Sequence, residues 1–361
     1  LDVQERLHNA DPDYPGYRQD LSRTHYNLGI VARETGDPAD AVSELTAAAR
    51  LLDGLPADDM IQRRHRARID LNLGPALRAD HRLGEAAAAC DRAIALFDAL
   101  IAEHPDRYAF RYEREMAVIN RGLVRLSDRD PAKAEADLTS ARDALARLVN
   151  DFKHTPLYRA GLAKAYNGLA AVAFDTGRAD EAADMSAKAA DEWTALIAQQ
   201  GTADYHGELG ISLCNRGRAL YGSNAMAAKD LLTHGLTELL IGLRANPQEP
   251  AFNDTFQKQS RVLAGLLVWD QDRMGAEKLA NRIVAELPDP VRSTHRAVVL
   301  LAACVAAVGH QKRATTEADA YEAVAIKLVT AVRPADWSAL RADPDCAPLM
   351  ARPGFAAAVA P

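Results

Sequence analysis

Apolar residues between Tyr17 and Leu52 recur at the three- and four-residue steps of a helix. They fall in two runs, Tyr17 to Glu34 and Pro38 to Leu52, broken by Gly36-Asp37. The pattern predicts two amphipathic helices. Asp37 suits the N-cap of the second, and Pro38 stands at its first position, where a missing N–H costs nothing. Gly29 marks the closest approach on the first helix, and Ala41 and Ala48 mark it on the second. Their spacings of 12 and 7 residues put all three on facing sides of an antiparallel pair. One such pair cannot bury both of its apolar faces, so it requires similar pairs beside it.

Those pairs are present. The small residue of the first helix recurs as Gly29, Gly74, Gly122, Ala170, Gly217 and Gly265, in steps of 45, 48, 48, 47 and 48 residues. Twelve further on stand Ala41, Ala86, Ala134 and Ala182, and nineteen further on Ala48, Ala93, Ala141 and Ala189. The fifth and sixth units reach Ala228 and Ala276 one residue sooner, which predicts a shorter connection in both. Turns within pairs, such as Thr35-Gly36-Asp37 and Asp128-Arg129-Asp130, are short enough to force antiparallel neighbours. Longer Pro-bearing joints, at Pro56 to Asp59, His104-Pro105-Asp106, Thr155-Pro156, Asn246-Pro247 and Pro288-Asp289-Pro290, separate one pair from the next. No alternating strand pattern occurs over any useful length.

The expected architecture is an all-α, right-handed solenoid of antiparallel helix pairs. Six pairs span residues 17–287. A degenerate pair at 288–332 follows, in which Arg313 stands where a small residue is due, and then a capping tail at 333–361. In that tail Trp337, Leu340, Leu349 and Phe355 are expected to cover the last apolar face. At the other end, Leu7, Pro12, Asp13, Arg18, Asn27 and Gly29 recur 93 residues later as Leu100, Pro105, Asp106, Arg111, Asn120 and Gly122. Residues 1–16 therefore read as the end of a truncated preceding repeat, and the chain as a fragment.

Composition narrows the function. Net charge is −7, which disfavours nucleic acid and membrane surfaces as general partners. Aromatics make up 6% of residues, which suits close-packed helices. Cys90, Cys214, Cys304 and Cys346 lack metal-ligand spacing, and the first three occupy apolar helical positions, as small buried hydrophobes of a reducing compartment do. The longest apolar run, Ala297 to Val308, is 12 residues, too short to span a bilayer. No signal peptide is visible, and a cytoplasmic setting is expected. No His-Glu-x-x-His, Walker loop or Gly-x-Ser-x-Gly is present, so neither catalysis, a metal nor a cofactor is expected. Acidic pairs such as Asp58-Asp59 lie in polar joints, where solvation explains them.

Leu28-Gly29 with Ala41 and Ala48, and Leu73-Gly74 with Ala86 and Ala93, resemble the tetratricopeptide repeat. So do Arg121-Gly122 with Ala134 and Ala141, and Leu169-Ala170 with Ala182 and Ala189. That family repeats about every 34 residues. The longer period here resembles the long-helix repeats of kinesin light chains. A second resemblance joins Glu5-Arg6-Leu7 through Gly29 with the tail Asp343 through Phe355. Together these are similar to the C-terminal repeat regions of bacterial eukaryotic-like serine/threonine kinases. The kinase domain itself is absent, since no Gly-rich loop, His-Arg-Asp or Asp-Phe-Gly occurs.

The resemblance implies that first helices line a concave, peptide-binding face. Two residues before the small position stand Asn27, Asn72, Asn120, Gly168, Asn215 and Leu263; only eleven asparagines occur in the chain. An asparagine offers a donor and an acceptor to one peptide unit, or else bonds a neighbouring helix. Six before come Arg23, Arg68, Met116, Lys164, Ile211 and Gln259. Four after come Arg33, Arg78, Leu126, Phe174, Tyr221 and Trp269. The expected groove is thus basic in its N-terminal half, with Arg63-Arg64-His65-Arg66 enlarging the patch, and aromatic in its C-terminal half. Arginine forks suit a carboxylate or phosphate, so an acidic or C-terminal segment fits. The expected function is a non-catalytic protein-interaction scaffold, part of a larger bacterial signalling protein. Its binding residues are Arg23, Asn27, Arg33, Arg68, Asn72, Arg78, Asn120, Lys164 and Asn215. The alternatives are a regulatory or substrate-recruiting region of a kinase and a purely self-associating array.

Overall fold

A computed structural model describes residues 1–53, 59–310, 315–332 and 337–360. Residues 54–58, which hold all of the expected joint Pro56 to Asp59 but Asp59, and Arg313 lie outside the described residues. All regular structure among those described is helical. The chain divides into two compact units, residues 1–196 and 197–361. The first holds α1 (Asp2–Ala10), α2 (Pro15–Glu34), α3 (Pro38–Leu51), α4 (Met60–Ala79), α5 (Leu83–Glu103), α6 (Tyr108–Ser127), α7 (Pro131–Asp151), α8 (Pro156–Asp175) and most of α9 (Ala179–Gln199). The second holds α10 (Ala203–Leu220), α11 (Ala225–Ala245), α12 (Pro250–Trp269), α13 (Arg273–Glu286), α14 (Pro290–His310) and α15 (Thr315–Val332). Its tail adds α16 (Ser338–Ala342), a 3-10 turn at Pro344–Cys346, α17 (Ala347–Met350) and α18 (Pro353–Ala358). Each unit is an α-solenoid of antiparallel pairs packed on their neighbours.

One turn recurs through both units. The N–H of Asp37 donates to the carbonyl of Ala32 at 2.9 Å and that of Gly36 to Arg33 at 3.3 Å. These are the paired 6→1 and 5→2 bonds that satisfy the last carbonyls of a helix. Arg82 to Leu77 at 2.9 Å, Asp130 to Arg125 at 2.9 Å, Arg178 to Ala173 at 2.8 Å and Asp272 to Leu267 at 2.8 Å repeat it. The motif places its central residue at positive φ: Gly36 (82°), His81 (60°), Arg129 (62°), Gly177 (77°) and Gln271 (58°). Glycine fills this conformation without a Cβ clash, whereas an L side chain loses about 1 kcal/mol or more there. Arg129 is exposed, so Arg129→Gly is expected to raise stability by about 0.5–1 kcal/mol. Urea unfolding checks it; a lower midpoint for the glycine variant would contradict it. Asp37, Asp130, Asn224 and Asp272 then cap the second helices, each accepting from a backbone N–H three residues on.

The small residues are contact points, as their spacing implies. A Cβ at Gly29 would lie 2.7 Å from Leu45 Cγ, at Gly74 2.6 Å from Cys90 Sγ, at Gly122 2.9 Å from Leu138 Cγ, and at Gly217 2.9 Å from Leu232 Cγ. Gly265 breaks the series: nothing lies within 4 Å of its Cβ position. The contact residue is Ala264, fully buried and seven residues before the positive-φ Gln271, as Gly29 is before Gly36. The sixth connection is therefore of normal length. Only the fifth, with no positive-φ residue between Leu220 and Ala225, is short. Correcting the register moves the sixth set of equivalents from Gln259, Leu263 and Trp269 to Lys258, Val262 and Val268.

The second unit contains a closer approach that the repeat pattern did not mark. On α10, a Cβ at Gly210 would lie 2.7 Å from the carbonyl oxygen of Gly235 on α11 and 2.8 Å from the Leu239 backbone nitrogen. In the tail, Trp337, Leu340, Leu349, Phe355 and Val359 are buried in the core that includes α14 and α15. Glu322 on α15 holds the tail through Arg352 Nε at 2.6 Å and the Phe355 N–H at 2.9 Å. By length and composition α14 could cross a membrane, because its apolar window extends past the 12-residue run. Ala297, Val298, Leu300, Leu301, Ala302 and Cys304 of that window are fully buried in the second unit, which makes it a core helix here.

Candidate peptide-binding surface

In the first unit the first helices of successive pairs also touch one another, α2 with α4, α4 with α6 and α6 with α8. This closely spaced layer carries most of the expected binding residues. Asn72 on α4 is its hub. Its amide nitrogen donates to Tyr26 Oη at 3.2 Å and to the Arg68 carbonyl at 2.9 Å, and its oxygen accepts from Arg33 Nη1 at 3.3 Å. The Arg68 guanidinium lies over the Tyr26 ring, 5.6 Å from its centroid, where the ring quadrupole attracts it. Arg33, Arg68 and Asn72 are thus brought together, with Tyr26 as the member that residue spacing missed.

The other expected residues sit apart from this hub. Arg23 is exposed and pairs with Asp20 one turn earlier. Asn27 is exposed on α2. Asn120 on α6 donates to the Leu71 carbonyl at 3.1 Å, tying α6 to α4. Lys164 is exposed on α8, and Asn215 is half-buried on α10 in the second unit. Arg78 is half-buried without a carboxylate partner among the described residues, and burial pushes its pKa down.

Charge pairing sorts the arginines. Arg64 grips Glu113 through two bonds of 2.9 and 2.8 Å, Arg63 holds Glu103, and Arg66 reaches Asp53 at 2.7 Å. The run at 63–66 is therefore neutralised rather than an extension of the basic patch. Arg92 clamps the buried Asp70, while Arg121 and Arg125 clamp Asp137, at 2.6–2.7 Å. By contrast, the nearest carboxylates to Arg33 and Arg68 are 3.8 and 3.7 Å away, beyond a hydrogen bond. The charge of Arg68 is felt locally. Burial first, then Arg68 and Arg23, push the pKa of His65 down to about 4. That imidazole packs edge-on against Tyr26 at 5.4 Å.

His65 also lies 3.2 Å from Ser22 Oγ. The Ser22 hydroxyl is buried and spends its proton on the Ala48 carbonyl at 2.8 Å, so His65 must donate to it. A histidine donating to serine cannot act as its base. The thiols of Cys90, Cys304 and Cys346 are pushed up to about 12 by burial, and that of Cys214 is pushed up as well. Such thiols are poor nucleophiles.

No family model and no curated protein matches the sequence. Among solved structures, the chain is similar to BtubC (BKLC) from P. vanneervenii, at 18% identity over 66% of this chain and 85% of that one, TM-score 0.48. It is also similar to a putative kinesin light chain of nearly identical TPR-like repeats from Podosopora anserina, at 17% identity over 63% and 96%, TM-score 0.40. A third is a monomeric mutant of IFIT1 solved with Gppp-AAAA, at 13% identity over 91% and 66%, TM-score 0.37.

Proposed function

We propose that the chain is a non-catalytic protein-interaction scaffold whose first-helix layer binds an acidic peptide segment. The observation that carries this reading is the pair Arg33 and Arg68, which meet Glu34 and Glu113 only at 3.8 and 3.7 Å, beyond a hydrogen bond. Asn72 accepts from the Arg33 guanidinium and the Tyr26 ring lies under that of Arg68, while Arg64 and Arg121 are spent on carboxylates. A preorganised guanidinium with free donors suits a bidentate carboxylate, and Asn27, exposed on the helix that carries Arg33, offers a peptide unit its donor and acceptor. The finer reading, recognition of a C-terminal carboxylate, rests on the same residues.

The test is fluorescence anisotropy with a labelled oligoglutamate peptide. The parent chain is expected to bind it, more weakly as salt rises. Arg33→Ala with Arg68→Ala is expected to weaken binding at least tenfold, about 1.4 kcal/mol, with helicity unchanged. Equal binding by parent and variant would overturn the assignment. The resemblance of Glu5 through Gly29 and of Asp343 through Phe355 to kinase C-terminal regions supports a larger signalling protein as the setting. A serine/threonine kinase domain in the reading frame upstream of Leu1 is the expected finding, and an unrelated domain there would contradict it.

A further inference from the structure

Away from that surface, the second unit has a cleft of about 330 Å³ between α12 and α14, bordered by Asp343 of the tail. Phe256 and Val299 supply its apolar lining. Its basic wall comes from α14, where Arg292, His295 and Arg296 stand at helical steps that put them on one face.

Arg296 is half-buried, and one of its terminal nitrogens donates to Asn253 Oδ1. Asn253 is itself fixed, its amide nitrogen donating to the carbonyls of Pro247 and Glu249 at 2.9 Å each. No carboxylate among the described residues pairs with Arg296. Burial and then the neighbouring Arg292 push its pKa down to about 10, against the pull of Asp289, so it stays charged at neutral pH. The acids near the cleft are already engaged. Asp343 accepts from His295 Nε2 at 2.7 Å and from the Asp345 N–H at 2.8 Å. Asp345 accepts from Gln257 at 3.0 Å and from Arg261. Asp289 caps the start of α14 through the N–H groups of Val291 and Arg292, at 3.0 Å each.

A half-buried charge without a counterion costs the fold free energy and returns none to it. Its residual donors point to an occupant that brings the missing negative charge. We infer that this cleft binds a compact oxyanion-bearing ligand, a carboxylate or a phosphate, through Arg296 with Arg292 at its mouth. The volume stands at the low end for ligand sites, which fits a small molecule with a short apolar body rather than a folded partner. The inference is independent of the peptide surface in the first unit. His295, Asp343 and Cys346 also come within 4.8 Å of one another. There, His295 and Asp343 already bond each other, and the Cys346 thiol is held protonated by burial.

The test is calorimetric titration of the full chain with inorganic phosphate and, separately, with malonate, at constant ionic strength set by sodium chloride. Saturable binding of at least one anion is expected. A phosphate preference identifies a phosphoryl ligand and a malonate preference a carboxylate. Arg296→Gln is expected to weaken the binding at least tenfold, and Arg292→Gln at least threefold. Arg82→Gln, on the first unit's surface, is expected to leave it unchanged. Without phosphate or malonate, Arg296→Gln is expected to be at least as heat-stable as the parent. Should it lose helicity instead, Arg292→Gln carries the test, because that residue is exposed. No saturable binding of either anion, or unchanged binding in Arg292→Gln, overturns the proposal.

Discussion

Gly210→Ala is expected to destabilise the second unit by about 2 kcal/mol, the opposite of what helix propensity alone gives. Alanine in a helix interior is favoured over glycine by about 1 kcal/mol, so the clash must exceed that gain. It does, because the new methyl would meet backbone atoms, the Gly235 carbonyl oxygen at 2.7 Å and the Leu239 nitrogen at 2.8 Å. Backbone atoms cannot rotate away. Only a separation of α10 from α11 relieves the contact, and overpacking of that kind costs about 1–3 kcal/mol or more. Gly235 faces α10 as closely, its own Cβ position lying 2.7 Å from Cys214 Sγ. Gly265→Ala is the matched control. With nothing within 4 Å of that site, it is expected to gain about 0.5–1 kcal/mol from propensity. Urea unfolding of the two variants against the parent decides the matter. Equal shifts of one sign would mean that the contact register of α10 or α12 is wrong.

Phe355→Ala is expected to cost about 3–5 kcal/mol, the usual loss for truncating a buried aromatic side chain. Phe355 is fully buried, with Leu349, Cys346 and Val359 of the tail in the same core as α14 and α15. Its N–H also anchors the Glu322 carboxylate, a bond the alanine variant keeps. The loss is therefore one of packing. In a repeat array the end pair has an unshared apolar face, so unfolding is expected to begin there and to propagate inward. Hydrogen exchange is expected to rise first in α14 and α15. A loss below about 1 kcal/mol, with exchange in those helices unchanged, would mean that the tail does not stabilise the pair it covers.

Much of the fold was legible because its determinants are local. Gly29, Ala41 and Ala48 lie on one hairpin, and the cap Asp37 lies beside the turn it closes. The repeated 6→1 turn escaped notice because three of its five central residues, His81, Arg129 and Gln271, are not glycine. Leu263-Ala264-Gly265 offered two adjacent small residues, and only the facing helix decides between them. The candidate surface was harder to read. Arginines and asparagines on first helices are visible in the sequence, but the acids that neutralise them are not. Glu113 reaches Arg64 from 49 positions away, and Asp70 reaches Arg92 from 22. That Arg33 and Arg68 hydrogen-bond to no carboxylate among the described residues became evident only once those pairs were drawn. The cleft at Arg296 joins α12, α14 and Asp343, and no local pattern announces it.

First and second helices of the first unit offer a partner two different layers. The most direct measurement is site-specific photo-crosslinking with the labelled oligoglutamate peptide. One crosslinking residue is placed at Asn27, exposed on α2, the helix that carries Arg33, and another at Ser43, exposed on α3. Crosslinking at position 27 and not at 43, suppressed by excess unlabelled peptide, is the expected result. Crosslinking at 43 with none at 27 would place recognition on the second helices and contradict the central claim.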